Sequence, residues 1–152
     1  MEKILCATRG GEASYKTQDA AIALARERDA EIVFLFVVDA KFMNRTERPL
    51  RRETILREMD HMGEFLLLMA VERARKQGVK ASMLIRNGGF RSELVDVASD
   101  PEINLLVLGK PVGQESFFSL VDLEAFAKEV EETTKTEVIL VEISSSEEEH
   151  SK

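Results

Sequence analysis

A single cysteine, Cys6, is all the chain contains, so no internal disulfide can form and stability must rest on a packed core. Cys6 lies inside an apolar, strand-like run. A buried small hydrophobe is the first reading of it, ahead of a reactive thiol. Cations are in deficit: Lys and Arg number 21 against 28 Asp and Glu, a formal charge of -7. That weighs against a nucleic-acid surface, because phosphate binding needs clustered basic side chains. No apolar run reaches the length of a membrane span, and Met1 to Arg9 lacks a signal-peptide layout. Neither a membrane nor export is expected, and the cytoplasm is the default location. Histidine is scarce, with His61 inside a helical pattern and His150 near the chain's end. Neither has a nucleophile or carboxylate at useful spacing, and no His/Cys/Asp group has metal-ligand spacing. Hydrolytic, redox and metal chemistry therefore find little support. There is no internal repeat.

What is present suits one globular domain: 152 residues, 44% hydrophobic, are enough to bury a core without staples. The segment Ile103 to Gly113, INLLVLGKPVG, organises the rest. Its unbroken run Leu105 to Leu108 predicts a strand covered on both faces, as in the middle of a parallel sheet. Lys3 to Thr8 predicts a first buried strand, and Glu31 to Val38 a second. Lys80 to Ile85 predicts a third, followed by the turn Asn87-Gly88-Gly89, and Glu137 to Ile143 is the last.

Helical spacing fills the intervals. From Glu12 onward, Thr17, Ala20, Ala21, Leu24 and Ala25 share one face. A long helix opens near Pro49, where proline suits the first turn, and stops at Gly78. Along it Ile55, Met59, Met62, Leu66, Met69, Ala70 and Arg73 keep helical spacing, and the methionines read most simply as core. Phe65, Leu67 and Leu68 widen the apolar surface beyond one stripe. A short helix turns Leu94, Val97 and Ala98 inward and ends before Pro101. Ser119 with Asp122 resembles a capping box, starting a helix through about Glu132.

Alternating strands and helices predict an α/β fold, a five-stranded parallel sheet with helices on both faces. Right-handed crossovers with one reversal give the order 3-2-1-4-5, strands 1 and 4 meeting at the switch point. The expected domain spans residues 1–143, with 144–152 a disordered acidic tail.

Laid out in this order, the chain resembles the universal stress protein family over nearly its whole length. The likeness is carried by KILCATRGGEAS, FLFVVD, the turn with Gly88, INLLVLG and TEVILV. It implies a Rossmann-like, adenine nucleotide alpha hydrolase-like fold, usually homodimeric, with ATP-binding and non-ATP-binding branches. In the ATP-binding branch the loop after the fourth strand follows G-x2-G-x9-G-[ST], and a Thr-Asp pair ends the first strand. Here Thr8 matches the threonine, but Arg9 stands in the aspartate's place. Val37 and Asp39 fit the second strand's end, and Gly109 fits the first loop glycine. Gly113 comes one residue late, after Lys110 and Pro111, and no Gly-Ser or Gly-Thr follows. LVDLEAF occupies that region, with Asp122 and Glu124 where a phosphate needs donors. These departures imply a degenerate loop and a binding or regulatory module rather than an enzyme, with no tight ATP binding. The alternative is an ATP- or AMP-binding protein using Arg9, Gly109, Lys110 and Gly113 in an altered phosphate loop, with at most slow ATPase activity.

Two surfaces suggest partners. Val138, Ile139, Leu140, Val141 and Ile143 form an apolar strand at a sheet edge, which proteins normally protect, so homodimer pairing is expected there. Residues 41–57 concentrate Lys41, Arg45, Arg48, Arg51, Arg52 and Arg57. Arg48, Arg51 and Arg52 offer docking for an anionic ligand or protein, against a plainer reading as a solvated helix start with pairs such as Glu53 and Arg57.

Overall fold

The computed structural model describes residues 2–8, 12–38, 49–110 and 120–141. Strands and helices alternate through them as β1 (Lys3–Ala7), α1 (Glu12–Arg28), β2 (Glu31–Val38), α2 (Pro49–Lys76), β3 (Ala81–Asn87), α3 (Phe90–Ala98), β4 (Ile103–Gly109), α4 (Leu120–Thr134) and β5 (Glu137–Val141). The sheet has five strands in the order β3-β2-β1-β4-β5, and every neighbouring pair is parallel. This is the predicted architecture, with its reversal between β1 and β4.

Alternation along the strands sorts the core into two layers. Ile4, Cys6, Ile32, Phe34, Phe36, Leu105 and Val107 meet Ala21, Ile22 and Ala25 of α1 and Leu67, Ala70, Val71 and Ala74 of α2. Leu5, Ala7, Leu35, Leu106 and Leu108 meet Phe90, Leu94 and Val97 of α3 and Leu123, Phe126 and Val130 of α4. Gly63, inside α2, lies where any Cβ would collide with the Phe36 ring, so its missing side chain lets α2 approach β2. Two helices end in the left-handed conformation that closes a Schellman turn. Gly78 (φ 80) follows α2, with the Val79 N–H on the Ala74 carbonyl at 3.0 Å; Asp29 (φ 55) follows α1, with Ala30 on Ala25 at 2.9 Å.

Several sequence expectations shift. The methionines of α2 are not core: Met62 is 52% exposed and Met69 39%, Met59 being only half-buried. The buried stripe is instead Gly63, Leu67, Ala70, Val71 and Ala74, because small residues and one leucine fit closest to the sheet. Phe65 (62% exposed) and Leu68 (50%) stand outward with the methionines. In α1 the buried face is Ser14, Thr17, Gln18, Ala21, Ile22 and Ala25, with Ala20 and Leu24 at its margin. Glu53 and Arg57 form no ion pair among the described residues; both are exposed. Arg48, the tail 144–152 and Ile143 lie outside the described residues, and of Arg51 and Arg52 only the helical backbone is described. No helix among the described residues is long and apolar enough to cross a membrane.

Candidate functional site

The strand reversal sets the carboxyl ends of β1 and β4 beside each other, with β2 flanking β1. Cys6 pairs with Val107, so Thr8 and Gly109 follow at the same level on adjoining strands. Ligands of open α/β sheets bind beyond such ends. Of the site residues read from the sequence, Thr8, Val37, Gly109 and Lys110 are described; Arg9, Asp39 and Gly113 lie outside the described residues.

Thr8 is 3% exposed. Its N–H donates to the Leu35 carbonyl at 2.8 Å, which carries the β1–β2 ladder one step past the strand. Its hydroxyl accepts from Nε2 of Gln18 at 2.8 Å. Gln18, 2% exposed, is a polar residue on the inner face of α1. Its Oε1 accepts from Nη1 of Arg73 at 2.6 Å, so the chain of bonds leaves the core through α2. Outside, Arg73 pairs with Asp19 and lies 4.8 Å from the centre of the Tyr15 ring. Sequence reading missed Gln18 as a site residue and took Arg73 only as a helical spacing position. The available signal was the recurrence of Ser14, Gln18, Ala21 and Ala25 at helical steps, which places an amide on the sheet-facing side.

The other strand ends are held by backbone bonds. Val38 gives its carbonyl to the Gly88 N–H at 3.0 Å, and Val37 is half-buried against the α3/α4 layer. Gly109 pairs with Val141, and the Lys110 N–H donates to the Val141 carbonyl at 2.8 Å. Facing this end, α4 carries Asp122 in its first turn, and both Asp122 and Glu124 are exposed. A carboxylate there offsets the positive end of the helix dipole and opposes an incoming polyphosphate.

Cys6 sits deep in β1, fully buried, and burial pushes its thiol up to about 12, so it stays protonated and inert. Two described grooves, about 410 and 360 Å³, lie between α1 and α2: the larger runs from Asp19 and Arg73 to Lys76 and Gln77, and the smaller lies at the opposite end of the sheet, by Ala30 and Lys80. Arg26, Arg73, Lys76 and Gln77 line the larger one. Cations in last turns answer the negative ends of two helix dipoles, so these grooves are poor anion sites and the strand tips remain the better candidate. Among the described residues, no group of three His, Cys, Asp or Glu side chains is placed to hold a metal ion.

Residues 1–120 match the universal stress protein family. The chain belongs to that family. Universal stress protein YxiE of Bacillus subtilis is 28% identical over 123 residues, which cover 70% of this chain and 77% of that protein. Among solved structures, the universal stress protein UspA from Lactobacillus plantarum superposes with a TM-score of 0.76 at 18% identity, covering 92% of this chain and 97% of the other. A universal stress protein in complex with cAMP gives 0.67 at 21% identity, covering 94% and 98%. A family protein from Arabidopsis thaliana with AMP bound gives 0.65 at 14% identity, covering 97% and 95%. At these identities the structural likeness is one of fold: this universal stress protein shares its architecture with relatives that hold adenine nucleotides.

Proposed function

We propose that this universal stress protein is a homodimeric binding and regulatory module rather than an enzyme. It takes an adenine nucleotide at the carboxyl ends of β1, β2 and β4, and it holds a triphosphate loosely. The observation that carries the reading is the adjacency of Thr8 and Gly109 across the strand reversal, the position at which folds of this kind receive ligands. Relatives of the same fold with AMP and cAMP bound support the nucleotide class. Against a firmly held triphosphate stand Asp122 and Glu124 at the start of α4, together with the late Gly113 and the replacement of an aspartate by Arg9. We place the module in the cytoplasm, where a lone thiol has no need of a partner.

Melting the protein with AMP, cAMP, ADP and ATP tests this, because a ligand specific to the folded state raises stability by mass action. AMP and cAMP should raise the melting temperature more than ATP at equal concentration, with no phosphate release from ATP above the buffer rate. Silence from all four nucleotides would remove the nucleotide reading. A larger effect of ATP would favour the alternative, an altered phosphate loop built from Gly109, Lys110 and Gly113.

The homodimer rests on β5. Val138 to Val141 are only half-buried at the sheet edge, Ile139 and Val141 toward one layer and Val138 and Leu140 toward the other. Because Val141 turns its carbonyl to β4, Val138 and Leu140 turn theirs outward, where a second copy of the strand can pair. The Val138 N–H is already covered by the Glu131 carboxylate at 3.0 Å, which leaves the Val138 carbonyl and both groups of Leu140 for the partner. Sedimentation at micromolar concentration should give a dimer for the native chain and a monomer for Leu140→Pro, which deletes an outward N–H. A native monomer counts against the pairing.

A further inference from the structure

The hydrogen bonds from Arg73 through Gln18 to Thr8 run in one obligatory direction. A guanidinium has donors only, so the end of the Gln18 amide that lies 2.6 Å from Arg73 Nη1 must be the oxygen. The flipped amide would set two donors against each other. The amide nitrogen is thereby committed to Thr8, where it acts as a donor to Oγ1 at 2.8 Å. Thr8 is left with its own hydroxyl proton to give away. Its N–H is spent on Leu35, and among the described residues no group accepts the hydroxyl proton. With Thr8 3% exposed, that proton has almost no access to bulk water. Buried hydroxyl donors without an acceptor are rare and costly in folded proteins, and this one lies at the strand reversal.

We propose that Arg73 and Gln18 are positioning residues that hold Thr8 as a hydrogen-bond donor at the tip of β1, so that the site selects for a ligand that presents an acceptor there, a ring nitrogen or an oxygen. The inference rests on the nucleotide reading above and narrows it. A ligand that turns a donor such as an amino group toward Thr8 can use only the second lone pair of Oγ1 and leaves the hydroxyl proton unpaired, so it binds less tightly. Asp19 and Tyr15 hold Arg73 from outside and keep the relay in one sense. Thr8 meets the ligand, whereas Gln18 and Arg73 act through it.

The full-length chain tests this with AMP as the probe. Thr8→Ser keeps the donor and should bind AMP within about twofold of the native protein. Thr8→Val deletes the donor and should weaken AMP about tenfold. Gln18→Glu places an acceptor between Arg73 and Thr8, captures the Thr8 proton, and should weaken AMP to the same level. The double variant should lose nothing further, since both changes remove one interaction. Without nucleotide, Gln18→Glu should raise the melting temperature by about 2–4 °C more in the native background than in the Thr8→Val background, since the new charge pair with Arg73 is common to both. AMP bound by Gln18→Glu as by the native chain, or losses that add in the double variant, overturns the relay. If the native chain takes up no AMP, the nucleotide reading falls, and the ligand-free difference between the two backgrounds still decides the donor state of Thr8. An equal change in melting temperature in the two backgrounds overturns that donor state.

Discussion

The two layers that flank the sheet differ in how they treat buried polarity. Under α3 and α4 the one buried polar side chain among the described residues is Thr136, whose hydroxyl bonds the backbone carbonyl of Ala98 at 3.0 Å. Under α1 the buried polar residues are Ser14, Thr17 and Gln18, with Thr8 on the strand beneath. Thr136 is satisfied by backbone and fastens β5 to the junction of α3 and β4. Gln18 is satisfied by side chains and Thr8 only as an acceptor, in an order that a distant cation fixes. Backbone partners cannot reverse their donor or acceptor role, so Thr136 is architecture. Side-chain partners can, so a fixed orientation among them carries information about what may bind.

The sharpest way to break this comparison is to damage the apolar layer and ask whether the polar one notices. Phe126 is 1% exposed in α4, among Leu5, Leu94 and Leu106. Phe126→Ala should cost about 3–5 kcal/mol through lost burial and the cavity left behind. For a chain of this size that lowers the melting temperature by about 6–20 °C. At temperatures where the variant stays folded, AMP affinity should remain within about twofold of native, because sites without shared partners behave independently. A tenfold loss of affinity in folded Phe126→Ala would mean that the layers are coupled and that the division between architecture and recognition is false.

How far the sequence foretold this division varies by element. The interior strands were legible because a parallel strand buried on both faces must be apolar at every step, and EIVFLFVV spans Glu31–Val38 as expected. The strand order followed from connection handedness. β3 was less legible: it extends to Asn87, two residues past the expected end, since an edge strand can carry Arg86 and Asn87 while its backbone pairs with Val37 and Val38. In α2 two apolar stripes compete, and helical spacing alone cannot choose between them. The sheet took the stripe with Gly63 and the alanines and left Met62, Phe65 and Met69 outside. At the site, Thr8 and Gly109 were visible as strand ends. Gln18 was hidden because a glutamine within a helix usually faces water, and only the position of Arg73, 55 residues away, turns it into a relay.

A smaller effect tests whether the α1 layer is dry despite its polar residues. Cys6 lies two residues before Thr8 on the same face of β1, and burial alone pushes its thiol from the ordinary 9.0 up to about 12. The folded chain therefore keeps a proton that the unfolded chain releases. Its full stability is present below pH 9.0 and declines as pH rises toward the folded value, because above 9.0 the unfolded state binds fewer protons. By about pH 10 the difference amounts to roughly 1.4 kcal/mol. Melting curves of the native chain and of Cys6→Ala, taken at intervals through that range, isolate the effect, since every other titrating group is common to both. The native chain should lose stability more steeply than Cys6→Ala. Parallel losses would mean that the thiol is hydrated in the folded state. The interior beside Thr8 would then admit water, and the Thr8 proton would have an acceptor without any ligand.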